Sequence, residues 1–145
     1  MKIDGIWSLH RYFIWADRMR VHFEECLDNK IAMGGEIKTL GDSMEVLMYP
    51  YMAYWYSGMY VVVEGWRDLK LTDEKIDKLL ESENVCRLKR FRNGSFHFQK
   101  NYFSKKFFDF MPEDENTAKW IRELRNEFSR FFLEHEDIRD PEFKI

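Results

Sequence analysis

The sequence predicts an all-α fold, an up-and-down bundle of four main helices plus a short one. Three observations lead there. Apolar residues recur at three- and four-residue spacing, as in Ile6, Leu9, Phe13 and Ala16 near the start and Trp120, Leu124, Phe128, Phe131 and Phe132 near the end. No segment alternates apolar and polar residues as a half-buried strand would. No internal repeat, low-complexity linker or shift in composition divides the 145 residues, so they read as one domain from Met1 to Ile145.

The first helix is predicted from about Asp4 to Asn29, where Trp15, Met19, His22 and Phe23 repeat the helical spacing. Gly34, Gly35 and Gly41 then mark a loop. The second helix should start near Ser43, a plausible N-cap, and end near Leu69, with Pro50 kinking it or splitting off a short first turn. Val46 to Val63 carries no charge over 18 residues. Its five tyrosines, its proline, serine and glycine, and its single leucine fit a buried central helix, partly at a subunit interface, better than a membrane span.

Thr72 should cap a short third helix through about Glu81, with Asp73 and Glu74 favourable at its positive end. The fourth is predicted from near Asn84, through Arg92 and His97, to about Gln99. Residues 100–111 read equally as helix or as a basic and aromatic loop. Pro112 opens the last helix, followed by Glu113, Asp114 and Glu115, and that helix should run to about Glu134. The segment from Asp137 to Ile145 reads as a polar, frayed tail.

A chain of this size buries enough surface to need no disulfide or metal staple. Cys26 and Cys86 have the spacing of neither, and are expected to be small buried apolar residues in a reducing compartment. The opening Met1-Lys2-Ile3-Asp4 lacks a basic-then-apolar signal, which points to the cytoplasm. Aromatic residues make up 17% of the chain, more than a small core needs, so a homodimer interface is expected.

Net charge is −3, but its distribution is uneven. Arg87, Lys89, Arg90, Arg92, Lys100, Lys105 and Lys106 follow one another with no Asp or Glu between them, leaving 16 basic against 26 acidic residues elsewhere. Such concentration suits a phosphate-bearing partner, although a solvated helix face would look the same. The four histidines form no His-x3-His or HExxH pair, and there is no Cys-x2-Cys, glycine-rich phosphate loop or nucleophile elbow.

What remains is Arg92-Asn93-Gly94-Ser95-Phe96-His97. On a continuous helix Asn93 and His97 share a face, while Arg92 and His97 lie about 140° apart. Gly94 weakens the helix by about 1 kcal/mol relative to Ala and lets a backbone or a phosphate approach closely. These features suggest a pocket with a phosphate binder and a titratable base.

This run, Arg92-Asn93-x3-His97 late in a helical bundle, resembles the signature of the HEPN superfamily (higher eukaryotes and prokaryotes nucleotide-binding). Arg130 with His135 and Arg90 with His97 also fit the looser Arg-to-His spacing. Only Arg92 is followed by a suitable polar residue inside the acid-free segment. No tyrosine follows His97 as closely as in some active members; Tyr102 is the nearest.

The resemblance implies a HEPN-like dimer with two motifs meeting at its interface, no cofactor and no metal. It implies an endoribonuclease, a toxin or anti-phage effector, whose partners would be RNA and a cognate antitoxin protein. Arg92, Asn93 and His97 would be the catalytic set. Lys89, Arg90, Lys100, Tyr102, Lys105 and Lys106 would bind RNA, helped by stacking on Phe96, Phe98 or Phe103. Two other readings stand beside it: a silent HEPN-like module that binds RNA, nucleotide or protein, and a helical interaction protein. Taken one by one, Phe91, Phe98, Phe103, Phe107 and Phe108 are expected to pack in the core, and His10 and His22 to be structural or surface groups. His135 would sit at a helix C-terminus, where a cation is favourable.

Overall fold

A computed structural model describes residues 5–32, 48–101, 104–108 and 115–135, without the side chains of 30–32, 107, 108 and 115. All the regular structure among them is helical: α1 (Ile6–Ala32), α2 (Tyr49–Asp68), α3 (Glu74–Leu79), α4 (Asn84–Phe96), α5 (Lys105–Phe108) and α6 (Glu115–Glu134). The predicted loop around Gly34 to Gly41, the Ser43 cap, Tyr102, Phe103, Pro112 and the tail from Asp137 lie outside the described residues.

α2 is the centre of the molecule because its apolar residues go most of the way round it. Trp55, Met59, Val62 and Val63 are each 0% exposed. It packs against α1 on one flank and α4 on another. Its third contact is Trp66, whose ring meets Phe128 and Phe131 of α6 edge to face. Small residues let α1 close in, with the Gly58 backbone against Ala16 and Gly65 against Leu9, and further along Phe23 meets Trp55 with its ring tilted. That order of pairs makes α1 and α2 antiparallel. Pro50 falls in the first turn of α2, where its missing N–H costs nothing, so it starts the helix and does not kink it.

α6 buries the whole stripe of Trp120, Ile121, Leu124, Phe128, Phe131 and Phe132. It runs antiparallel to α1: Phe132 meets His10 and Phe13, Phe128 meets Phe13, and Arg125 grips Asp17. Asp17 receives Nε and Nη2 of Arg125 at 2.8 and 3.1 Å, and Nε of Arg20 at 2.6 Å. Burial by itself would push its carboxyl up, but these hydrogen bonds outweigh that and hold it below the ordinary value.

α2 ends in a left-handed residue, Lys70, at φ 53°. The Lys70 and Leu71 N–H groups donate back to Arg67 and Trp66 carbonyls, a Schellman closure. The cap of α3 is Asp73 and not Thr72: its carboxylate accepts the Lys75 and Ile76 N–H groups and also Nη2 of Arg130. Aspartate combines a capping acceptor with a charge that suits the positive end of a helix, which a threonine cannot. Indole donors then fix α3, Trp66 Nε1 to Asp77 and Trp120 Nε1 to the Leu79 carbonyl, each at 2.9 Å.

Two packing expectations fail. Cys86 is exposed, and Cys26 is only half-buried, packed against the edge of the core. Phe98 is 95% exposed, because α4 stops before reaching it. His135 does sit at the end of α6, with Nδ1 2.7 Å from the Phe131 carbonyl. No helix among the described residues is long and apolar enough to cross a membrane.

Candidate functional site

α4 packs on α2 through Val85, Leu88 and Phe91, all buried, with Phe91 edge to face against Tyr56. The two helices are antiparallel, since Tyr54 meets Phe96 while Tyr60 meets Arg92. This register brings the predicted motif alongside the middle of α2, from Tyr54 at Phe96 to Tyr60 and Glu64 at Arg92.

The end of α4 differs from the prediction. The helix closes at Phe96, and His97 is its C-cap, with φ −116° and ψ 128°. Its N–H still donates to the Asn93 carbonyl at 3.1 Å, but its side chain leaves an extended backbone. The shared helical face expected for Asn93 and His97, and the 140° offset of Arg92, therefore do not apply. Gly94 and Ser95 are weak helix formers, and the last turn holds no Lys or Arg to favour the negative end of the helix. His97 is exposed. The turn after it is tied by Gln99 Nε2 donating to the His97 carbonyl at 2.8 Å and by the Ser104 hydroxyl donating to Gln99 Oε1 at 3.3 Å.

Arg92 is placed by α2. Its Nη1 lies 3.1 Å from Glu64 Oε1, and its Cζ lies 5.0 Å from the centre of the Tyr60 ring. Tyr60 and Glu64 are one turn apart on α2, so ring and carboxylate hold the guanidinium together. The Glu64 contact is charge to charge, off the line of a hydrogen bond. Glu64 Oε1 and Arg92 Nε are both buried without a hydrogen-bond partner, as are the hydroxyls of Ser95 on α4 and Ser57 on α2. Burial raises the Tyr60 hydroxyl pKa, and the Glu64 charge adds to that.

The structure thus keeps Arg92, Asn93 and His97 at one end of α4 but points the first toward α2 and exposes the last. Sequence reasoning missed Glu64 and Tyr60. The available signal was Glu64 itself, the first charge after the uncharged run and one turn beyond Tyr60. Of the predicted RNA contacts, Lys89, Arg90, Lys100 and Lys105 are exposed and Lys106 is half-buried. The aromatic rings at this end are open to solvent, with Tyr54 at 58% and Phe96 at 53% although they meet edge to face.

Elsewhere, a cavity of about 520 Å3 opens between α3 and α6, lined by Lys75, Lys78, Trp120 and Glu123 among others. It contains none of the predicted residues. Among the described residues no group of three or more His, Cys, Asp or Glu could hold a metal ion. No family model, curated protein or solved structure matches the chain.

Proposed function

We propose that the chain is a metal-independent endoribonuclease of HEPN type, a toxin or anti-phage effector acting as a cytoplasmic homodimer on RNA and restrained by an antitoxin protein. The observation that carries this reading is the end of α4. There an exposed imidazole, His97, stands between exposed Phe96 and Phe98, with Lys89, Lys100 and Lys105 exposed on the same acid-free stretch. Cations that follow a backbone and rings that stack on unpaired bases are the two parts of a single-strand site. The open Tyr54 and Phe96 rings supply apolar surface of the kind a second copy covers.

In the reaction, the ribose 2′-hydroxyl gives up its proton to a base and its oxygen bonds to the adjacent phosphorus. The bond from phosphorus to the 5′-oxygen breaks, and that oxygen takes a proton. The products are a 2′,3′-cyclic phosphate and a 5′-hydroxyl. A histidine can give or take the proton near neutral pH, so His97 fills either role. Arg92 opposes the charge that builds on the phosphoryl oxygens, and Asn93 orients His97 or donates to a phosphate oxygen. Two chains would place two imidazoles and two guanidiniums in one cleft.

The test is cleavage of single-stranded RNA in excess chelator. The expected result is cyclic-phosphate ends, lost in His97→Ala. Cleavage that survives His97→Ala refutes the role of His97, and cleavage abolished by chelator refutes a metal-free reaction. One observation favours a second reading, a catalytically silent RNA-, nucleotide- or protein-binding module: Arg92 already has a carboxylate beside it. That module would bind RNA without turnover. Its affinity would fall by about 0.7 logarithmic units per phosphate contact for each tenfold rise in salt, and neutralising Lys105 and Lys106 would weaken it.

A further inference from the structure

We propose that Glu64 is a positioning residue for Arg92, and that the seam between α2 and α4 is built to present one edge of the guanidinium to a phosphate. The proposal rests on the ribonuclease reading above. Among the described residues five buried polar side-chain atoms have no hydrogen-bond partner, and all are on these two helices: Trp55 Nε1, Ser57 Oγ and Glu64 Oε1 on α2, Arg92 Nε and Ser95 Oγ on α4. Buried groups left unpaired are rare in proteins, and their concentration at one place marks a functional constraint.

The geometry says which edge of Arg92 a ligand can reach. Nε is buried, while the side chain as a whole keeps 28% of its exposure. That exposure belongs to other atoms of the side chain, so of the guanidinium nitrogens only Nη1 and Nη2 remain as candidates to meet a phosphate. Glu64 Oε1 stands 3.1 Å from Nη1 and fixes that edge from the α2 side. Tyr60, 6% exposed, supports the plane of the group from 5.0 Å. The side chain is thereby held in one orientation before any ligand arrives, the condition for a charge to act in the transition state without reorganising.

A structural salt bridge is a poor account of the same contact. Glu64 keeps 42% and Arg92 28% of their side-chain exposure although Oε1 itself is covered, and ion pairs between half-open side chains add little to stability.

The experiment is a double-mutant cycle with Glu64→Gln and Arg92→Ala, read as kcat and KM on single-stranded RNA beside thermal melts. The expected result is a kcat for Glu64→Gln lower by roughly 10- to 100-fold, as for a misplaced catalytic group, with KM and melting temperature close to wild type. The double variant should be no slower than Arg92→Ala alone. A Glu64→Gln enzyme with wild-type kcat overturns the proposal, as do effects that multiply. If wild-type protein cleaves no RNA, the ribonuclease reading fails and positioning is read separately, from the Arg92 Nε–H resonance of 15N-labelled protein. A sharp, solvent-protected signal in wild type that broadens in Glu64→Gln supports the clamp. The same signal in both proteins overturns it.

Discussion

Gly58 and Gly65 lie seven residues apart on α2, and both face α1, yet the same substitution should have different consequences at the two. A Cβ at Gly58 would stand 2.9 Å from the Ala16 Cβ and 3.3 Å from its Cα. Neither atom can rotate away, so α1 and α2 would have to separate along their longest contact. A Cβ at Gly65 would stand 2.7 Å from Leu9 Cδ1, but the next Leu9 atom is 4.0 Å away. A methyl at the end of a side chain can yield by a change of rotamer, at about 0.5–1.5 kcal/mol if it ends off its preferred well. Both substitutions gain about 1 kcal/mol of helix propensity. Overpacking of a fixed contact costs about 1–3 kcal/mol. Gly58→Ala should therefore be destabilised by about 1 kcal/mol, the middle of the net range, while Gly65→Ala stays close to wild type, within about 0.5 kcal/mol. Urea unfolding followed by helical circular dichroism measures both, and a difference of about 1 kcal/mol would appear as about 3 °C in a thermal melt. A Gly58→Ala protein as stable as Gly65→Ala would refute the view that the flexibility of the neighbour decides the outcome.

Two further predictions concern pH. Burial lowers the His10 pKa from 6.5, so the unfolded chain takes up its proton more readily than the native one. The contribution of His10 is then fully present above pH 6.5 and is lost as pH falls through the lower native value. His10→Gln should lose less stability than wild type between pH 8 and pH 5.5, and equal losses in urea titrations would contradict this. Asp17 is held below its ordinary 3.8 in the native state, so its contribution is present above that value and disappears as pH falls through the native one. Asp17→Asn should cost about 1–3 kcal/mol at neutral pH, since charge-assisted hydrogen bonds to Arg125 and Arg20 are lost. The gap to wild type should close in acid; one that persists at pH 2 would show that the carboxylate charge is not its source.

Where sequence pattern and packing coincide, the fold was legible. The α6 stripe from Trp120 to Phe132 needs only a 3.6-residue period and a core to face, and every member named from the sequence is buried. The uncharged run through Trp55 and Met59 likewise forms the central helix. The end of α4 was not legible, because helix termini depend on small balances: one weak former more or less moves the boundary, and with it Phe98 passes from core to solvent. Glu64 was hidden for another reason. Its partner Arg92 is far along the chain, and helical periodicity carries no information about which faces of two helices will meet. Arg92, Asn93 and His97 were found as a run of residue types, but the orientation of the first was decided on α2.

Arg92 and His97 stand on opposite sides of the point where α4 stops, and so they obey different clocks. The Arg92 amide belongs to a helix anchored by Val85, Leu88 and Phe91, and it exchanges its hydrogen only when that helix opens. His97 is steadied by its N–H to Asn93 and by the Gln99 and Ser104 tether, beyond the end of the helix, where chain motions in proteins generally run from nanoseconds to microseconds. A ligand that immobilises the imidazole thus draws its ordering entropy from the turn and leaves the helix untouched. Replacing Gln99 with alanine would loosen one half of the motif while the other half kept the exchange protection of α4.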